Sequence, residues 1–172
     1  MALGPDGTGE VNGYRIAPRV NLCGADLRGA DLQEADLSGA DLTLADLSGA
    51  SLFRAKMKGA ILTGARLRNT NLQNASLADA EMYGVRAEGA KFGQADLENA
   101  NLTAAELRCA DMSQTYLVGA DFTDADIEGA NFTEAIVEPH HAAIIEAAAK
   151  RMVASLDVIF PRTENPGYGR RR

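Results

Sequence analysis

The sequence predicts an all-β solenoid. Three observations carry that prediction: an unbroken five-residue period over residues 20–139, an Ala and a large apolar residue two apart in nearly every period, and a recurrent Gly at the period's end. Read from Val20, the chain runs VNLCG, ADLRG, ADLQE, ADLSG, ADLTL and onward to AIVEP, 24 blocks without insertion or deletion. Ala holds the first position in 20 blocks, the exceptions being Val20, Thr70, Val85 and Thr115. The third position is large and apolar in 23, from Leu22 through Met57, Phe92 and Ile127 to Val137, with Ala87 the exception. Internal repetition at a fixed short period is the signature of a solenoid.

The period selects the backbone. In a helix, residues two apart point about 200° apart, which would send Ala and Leu to opposite sides. In a strand, positions one and three share a face while two and four take the other. A flat strand would flip the next apolar pair outward after three residues. A short strand followed by a bend in every block keeps all pairs inward, and Gly at the fifth position suits a bend that needs φ > 0. In block VRAEG a large Val85 stands beside a small Ala87, so volume lost at one inward position is partly regained at the next.

The blocks ADLRG, ADLSG, ANLTA and ANFTE resemble the pentapeptide-repeat family. The resemblance implies a right-handed quadrilateral β-helix, with four blocks per coil and the third residue at the centre of each side. Twenty-four blocks then make about six coils, about 29 Å tall at the ~4.8 Å strand spacing.

Composition narrows the function classes. The 172 residues carry 17 Lys and Arg against 24 Asp and Glu, a net charge of −7 and a pI near 4.8, which argues against non-specific attraction to nucleic acid or an anionic membrane. No run of 18 apolar residues is present, so no membrane span is expected. The opening MALGPDGTGE has neither a basic nor an apolar leader segment, and Cys23 and Cys109 fall too far apart along the solenoid for a disulfide. A cytoplasmic protein is the expectation.

The ends differ from the repeat. Residues 1–19 are read as an N-terminal lead-in and cap, with 1–13 polar and mobile and Tyr14, Ile16 and Val20 alternating as a strand over the first coil. Residues 140–160 follow helical periodicity, with Ile145, Ala149, Met152, Leu156 and Ile159 on the apolar side, and Pro161 stops the run. This amphipathic segment either caps the last coil or makes a homodimer contact, as C-terminal segments do in several family members. Residues 161–172 form a polar tail ending in three arginines, read as flexible.

No constellation for catalysis emerges. Asp recurs at the second position on solvated faces without a cleft, which is no setting for splitting carboxylate pKa values. His140 and His141 are adjacent and have no Cys nearby, so no metal site is assigned, nor any cofactor. The chain is read as not an enzyme.

If twenty residues make a coil, Arg68, Glu88, Arg108 and Glu128 stack in one alternating column. Asp46 then stacks with Arg66, Asp36 with Lys56, Arg86 with Glu106 and Lys91 with Asp111. That neutralises much of the basic belt at Arg54, Lys56, Lys58, Arg66 and Arg68, and direct nucleic-acid binding is not expected.

The leading expectation is a non-enzymatic protein-binding or scaffold protein with a protein partner. Its candidate interaction residues are Phe53, Ile61, Tyr83, Tyr116, Val118 and Ile136, the last three expected on one face near the C-terminal end. The alternative follows from the resemblance, since quinolone-resistance members are acidic rods that mimic duplex DNA and bind DNA gyrase. For that reading the acidic face is assigned to Asp96, Asp111 and Asp121.

Overall fold

The computed structural model describes residues 3–139. Along them the chain winds into a β-helix whose register is fixed by twenty parallel bridges, each joining residue n to residue n+20, from Asn21↔Asp41 to Tyr116↔Ile136. Every bridge falls on a second position. A turn of the solenoid is therefore four five-residue sides, as the block pattern requires.

The backbone accounts for itself almost completely. In the first block, the third-position Leu22 N–H donates to the Asp41 carbonyl in the next coil at 2.7 Å, and the fifth-position Gly24 N–H donates to Thr43 at 2.8 Å. The second-position Asp41 N–H reaches back to Val20 at 2.9 Å, and the first-position Ala25 N–H closes a turn on Leu22 at 3.0 Å. This scheme recurs coil after coil. Each turn puts the fifth residue at positive φ, and all such positions from 24 to 134 lie between +55° and +74°. Thirteen of these residues are not Gly, among them Leu44, Arg54 and Cys109, so the turn forces a left-handed conformation that costs L-residues about 1–2 kcal/mol each.

The fourth-position N–H has no backbone acceptor in that scheme, and here the second residue enters. All thirteen Asp and Asn at second positions accept from the N–H two residues on, as Asp41 does from Thr43 at 3.0 Å and Asn71 does from Gln73 at 3.1 Å. These are Asx turns. The recurrent Asp, read in sequence as a solvated surface charge, is a structural acceptor that completes each block's hydrogen bonding.

Inside, the first and third positions line one continuous core, and Leu27 to Leu67, Phe92 and Leu97 to Leu107 are fully buried. Val85 and Ala87 both point inward and are fully buried. The two first-position Thr are buried too and turn their hydroxyls to backbone: Thr70 donates to Leu47 at 2.7 Å and Thr115 to Met112 at 2.6 Å.

The N-terminal end is closed by structure: the lead-in strand expected around Tyr14 and Ile16 is present, and part of the preceding segment, read as polar and mobile, pairs with it. Strands β1 (Gly9–Val11) and β2 (Tyr14–Ile16) form an antiparallel hairpin with Val11 paired to Tyr14. Val11 and Ile16 join the core, while Tyr14 and Val20 pack against it. The Asp26 N–H donates to the Tyr14 hydroxyl at 3.2 Å, and the Asp36 N–H donates to the Gly7 carbonyl at 2.8 Å. Only β1 differs from the sequence reading, because it holds a single apolar residue, Val11, too few to show a period. The helix expected over 140–160 and the tail 161–172 lie outside the described residues.

Candidate interaction site

Four outer faces follow from the twenty-residue register. Face 1 carries the second-position column Asn21, Asp41, Ile61, Glu81, Asn101 and Asp121, with the fourth and fifth residues of the same blocks. Faces 2, 3 and 4 carry the columns that begin at Asp26, Asp31 and Asp36.

Face 2 satisfies its own charge. Its five arginines are all paired with its own acids: Arg28 with Asp26 at 2.6 Å, Arg66 with Asp46 at 3.5 Å, Arg68 with Glu88, Arg86 with Glu106 at 3.6 Å, and Arg108 with Glu128 at 2.7 Å and Asp126 at 3.4 Å. These side chains are half-exposed, so each pair contributes little to stability. The Arg28 guanidinium and N–H hold the Asp26 carboxyl at about 2, well below its ordinary 3.8. Burial pushes the Asp46 carboxyl up, but the hydroxyl and N–H of Ser48 and the Arg66 charge outweigh it and leave the pKa lowered. Glu128 and Asp126 in turn raise Arg108. The alternating column is thus realised as the pairs Arg68–Glu88 and Arg108–Glu128. Asp36–Lys56 and Lys91–Asp111 share bridges but form no ion pair among the described residues. Lys58 instead pairs with Asp79 at 3.4 Å.

Face 1 is the opposite case. It carries Asp41, Glu81, Asp121 and Asp124 and no Lys or Arg. Three of the four large apolar residues that stand most exposed among the described residues are also on it: Leu44 at 65%, Tyr83 at 51% and Ile61 at 40%, the fourth being Tyr116 on face 4. Asp41↔Ile61 and Ile61↔Glu81 are consecutive bridges, so Ile61 sits directly between two carboxylates in its column. The Leu44 side chain lies over Gly64, where a Cβ would stand 2.9 Å from Leu44 Cδ2, and the Gly64 N–H donates to the Tyr83 carbonyl at 2.9 Å. Gly64 therefore makes room for Leu44, which stands on the same face as Ile61 and Tyr83.

The sequence candidates fall on three faces. Ile61 and Tyr83 share face 1. Tyr116, Val118 and Ile136 share face 4, with Tyr116↔Ile136 bridged and Val118 half-buried. Phe53 stands alone on face 3, half-buried, with the Arg54 guanidinium 5.1 Å from its ring centroid. Leu44 was missed because it occupies a turn position. A large apolar residue where Gly recurs was the signal.

Asp96, Asp111 and Asp121 do not form an acidic face. Their columns belong to faces 4, 3 and 1, because their spacings of 15 and 10 residues are not multiples of twenty. Each also caps a turn, on Glu98, Ser113 and Thr123. Ile145, Ala149, Met152, Leu156 and Ile159 of the proposed dimer helix, and His140 and His141, lie outside the described residues. Among the described residues no cluster of metal-ligating side chains occurs, no helix is long and apolar enough to cross a membrane, and both cysteines are free and exposed.

A solenoid built from one repeated block, with most of its variation on outer columns, defines a repeat protein. The Pentapeptide repeats family model matches the chain over residues 19–49, 50–86, 80–117 and 110–137, in eight copies. The chain belongs to the pentapeptide-repeat family, whose members form right-handed quadrilateral β-helices.

Among solved structures, a pentapeptide repeat protein of the Arabidopsis thaliana thylakoid lumen is 30% identical, over 71% of this chain and 78% of its own, with a TM-score of 0.48. HetL, a pentapeptide repeat protein involved in heterocyst differentiation regulation in the cyanobacterium Nostoc, is 28% identical over 70% of this chain and 71% of its own, with a TM-score of 0.29. QnrB1, a plasmid-mediated fluoroquinolone resistance protein, is 20% identical over 78% of this chain and 87% of its own, with a TM-score of 0.39. A comparison with curated proteins finds no match.

Proposed function

We propose that this protein is a non-enzymatic scaffold that binds a protein partner through the outer faces of its β-helix. The observation that carries the reading is the concentration of exposed apolar side chains on face 1, with Leu44, Ile61 and Tyr83 gathered on a rigid, hydrogen-bonded surface. Exposed apolar area concentrated on one face marks interaction sites. Every second-position Asp holds a turn N–H two residues on, a structural role. Affinity capture with the full chain, followed by reconstitution from purified components, tests the proposal. A stoichiometric complex supports it; a chain that forms no complex with any captured protein overturns it.

A second reading, a DNA-mimicking rod that binds and inhibits gyrase, draws on the charge of residues 20–139, where 19 acids and 9 bases leave a net of −10. The self-paired arginines of face 2 count against a continuous negative field. Titration into a supercoiling assay decides between the two. Dose-dependent inhibition promotes the rod; none leaves the scaffold.

A further inference from the structure

Face 1 also specifies its partner's chemistry. We propose that it docks a protein segment that presents an apolar side chain flanked by Lys or Arg. This inference rests on the scaffold reading and adds to it the face and the chemical class of the occupant.

Two independent features converge. The first is shape and apolarity: Leu44, Ile61 and Tyr83 come from three successive coils and offer a patch two coil spacings tall, about 10 Å, which suits one inserted side chain and its neighbours. The second is charge. Asp41 and Glu81 bracket Ile61 in the same column, and among the described residues no cation stands on the face to neutralise them. Face 2, by contrast, pairs every one of its own acids with an arginine.

The carboxylates of face 1 are positioned without being consumed. Asp41 accepts from the Thr43 N–H at 3.0 Å, and the Thr43 hydroxyl together with this N–H lowers its pKa, so it is a fixed anion at neutral pH. Glu81 accepts from Asn101 Nδ2 at 3.0 Å, which aims its carboxylate along the face. An apolar anchor set on Ile61 would carry its cations on either side into reach of these two groups. Complementarity of this kind steers association and fixes register.

Panning a library of random twelve-residue peptides, displayed on phage, against the immobilised full chain tests the assignment and requires no identified partner. The expected result is enrichment of sequences with Leu, Ile, Phe or Met between Lys or Arg. A synthetic enriched peptide should bind at least tenfold more weakly to Ile61→Asp. It should also weaken on the double variant Asp41→Asn, Glu81→Gln, which keeps the turn acceptor while removing charge, and as salt rises. Acidic or neutral enriched sequences overturn the proposal.

Binding that survives Ile61→Asp but is lost in Tyr116→Asp also overturns it, yet leaves the scaffold reading standing with the contact moved to face 4. No enrichment at all overturns the docking assignment, while the scaffold reading stands or falls by the affinity capture. Enrichment seen only after deletion of residues 162–172 assigns the face to this chain's own arginine tail. A concentration-dependent rise in mass by light scattering, abolished by Ile61→Asp, assigns it to a second copy. Either result overturns the partner proposed here.

Discussion

The hydroxyl of Thr70 donates at 2.7 Å to the carbonyl of Leu47 in the preceding coil, and the same carbonyl accepts the Ala50 N–H at 2.9 Å. Thr70 stands where nearly every block has Ala, and its extra polar group is tolerated only because a backbone acceptor lies within reach. Thr70→Val keeps the shape and removes the bond. Leu47 retains its other donor, so the expected loss is modest, about 0.5–1.5 kcal/mol in urea unfolding.

Val85 and Ala87 share one side of a coil and are both fully buried. Ala87 is the one small residue among the third positions, so the Val85 side chain has no bulky neighbour in its own block to relax into its place. Val85→Ala is expected to cost about 2–3 kcal/mol, toward the lower end of large-to-small core losses. Val85→Ala combined with Ala87→Val should recover part of it, and the same urea series reads both.

Asp41 serves the fold as an acceptor and face 1 as a charge, and the two roles separate by substitution. Asp41→Asn retains an acceptor for the Thr43 N–H and should lower the unfolding midpoint less than Asp41→Ala does. Asp41→Ala leaves that N–H without its side-chain acceptor and should cost about 1 kcal/mol. Similar losses from both variants would show that charge, not the Asx turn, is what Asp41 contributes to stability. The same logic governs any test of acidic character at Asp96, Asp111 and Asp121, where Asn is the variant that changes charge alone.

Asp26 titrates at about 2 against an ordinary 3.8, mainly because Arg28 binds its ionised form. A depressed carboxyl pKa means that its stabilising contribution is complete above about 4 and disappears as pH falls from 4 to 2. Carboxyl chemical shifts followed by NMR should place its midpoint near 2. In Arg28→Ala the midpoint should climb toward 3.8, with the Arg28-position N–H bond remaining. A midpoint unmoved by that substitution would remove the guanidinium as the cause.

Gly7 closes the N-terminal end, with φ +79° and its carbonyl accepting from the Asp36 N–H. A Cβ there would run into the Glu34 carbonyl and stand 2.8 Å from the Asp36 nitrogen, both of them backbone. Gly7→Ala should cost about 1–3 kcal/mol of local stability. The expected readout is faster amide exchange at Asp36 with little change at Leu97, far from the end.

The inward half of each block was legible in the sequence because burial repeats with the backbone. Ala25 and Leu27 are buried for the same reason as Ala105 and Leu107, and the eye needs only the period. The outward half was harder. Asp at the second position looked like solvated charge because its partner is a backbone N–H two residues away, a group that composition does not display. Leu44 was hidden by its place in a turn, since the expectation of Gly there directs attention to the bend and away from the side chain. The placement of Asp96, Asp111 and Asp121 on three faces was already implied by a twenty-residue coil, as the Arg68–Glu88 column was. At the N-terminal end the alternation of Tyr14 and Ile16 showed the second strand, whereas β1 was out of reach because it holds one apolar residue and the closure also rests on the Tyr14 hydroxyl and the Gly7 carbonyl.

The twenty-residue register also makes the molecule behave like a combination lock. Five residues added anywhere in the repeat would leave the core intact, since one block replaces another inside, yet every column beyond the insertion would advance by a quarter turn. One block inserted between Asn69 and Thr70 would carry Tyr83 and Glu81 away from Ile61 while disturbing no buried contact type. Four blocks inserted there would return them to the same side, twenty residues farther along. The unbroken phase from Val20 onward is therefore what keeps Leu44, Ile61 and Tyr83 aligned, and length in this protein changes safely only in whole coils.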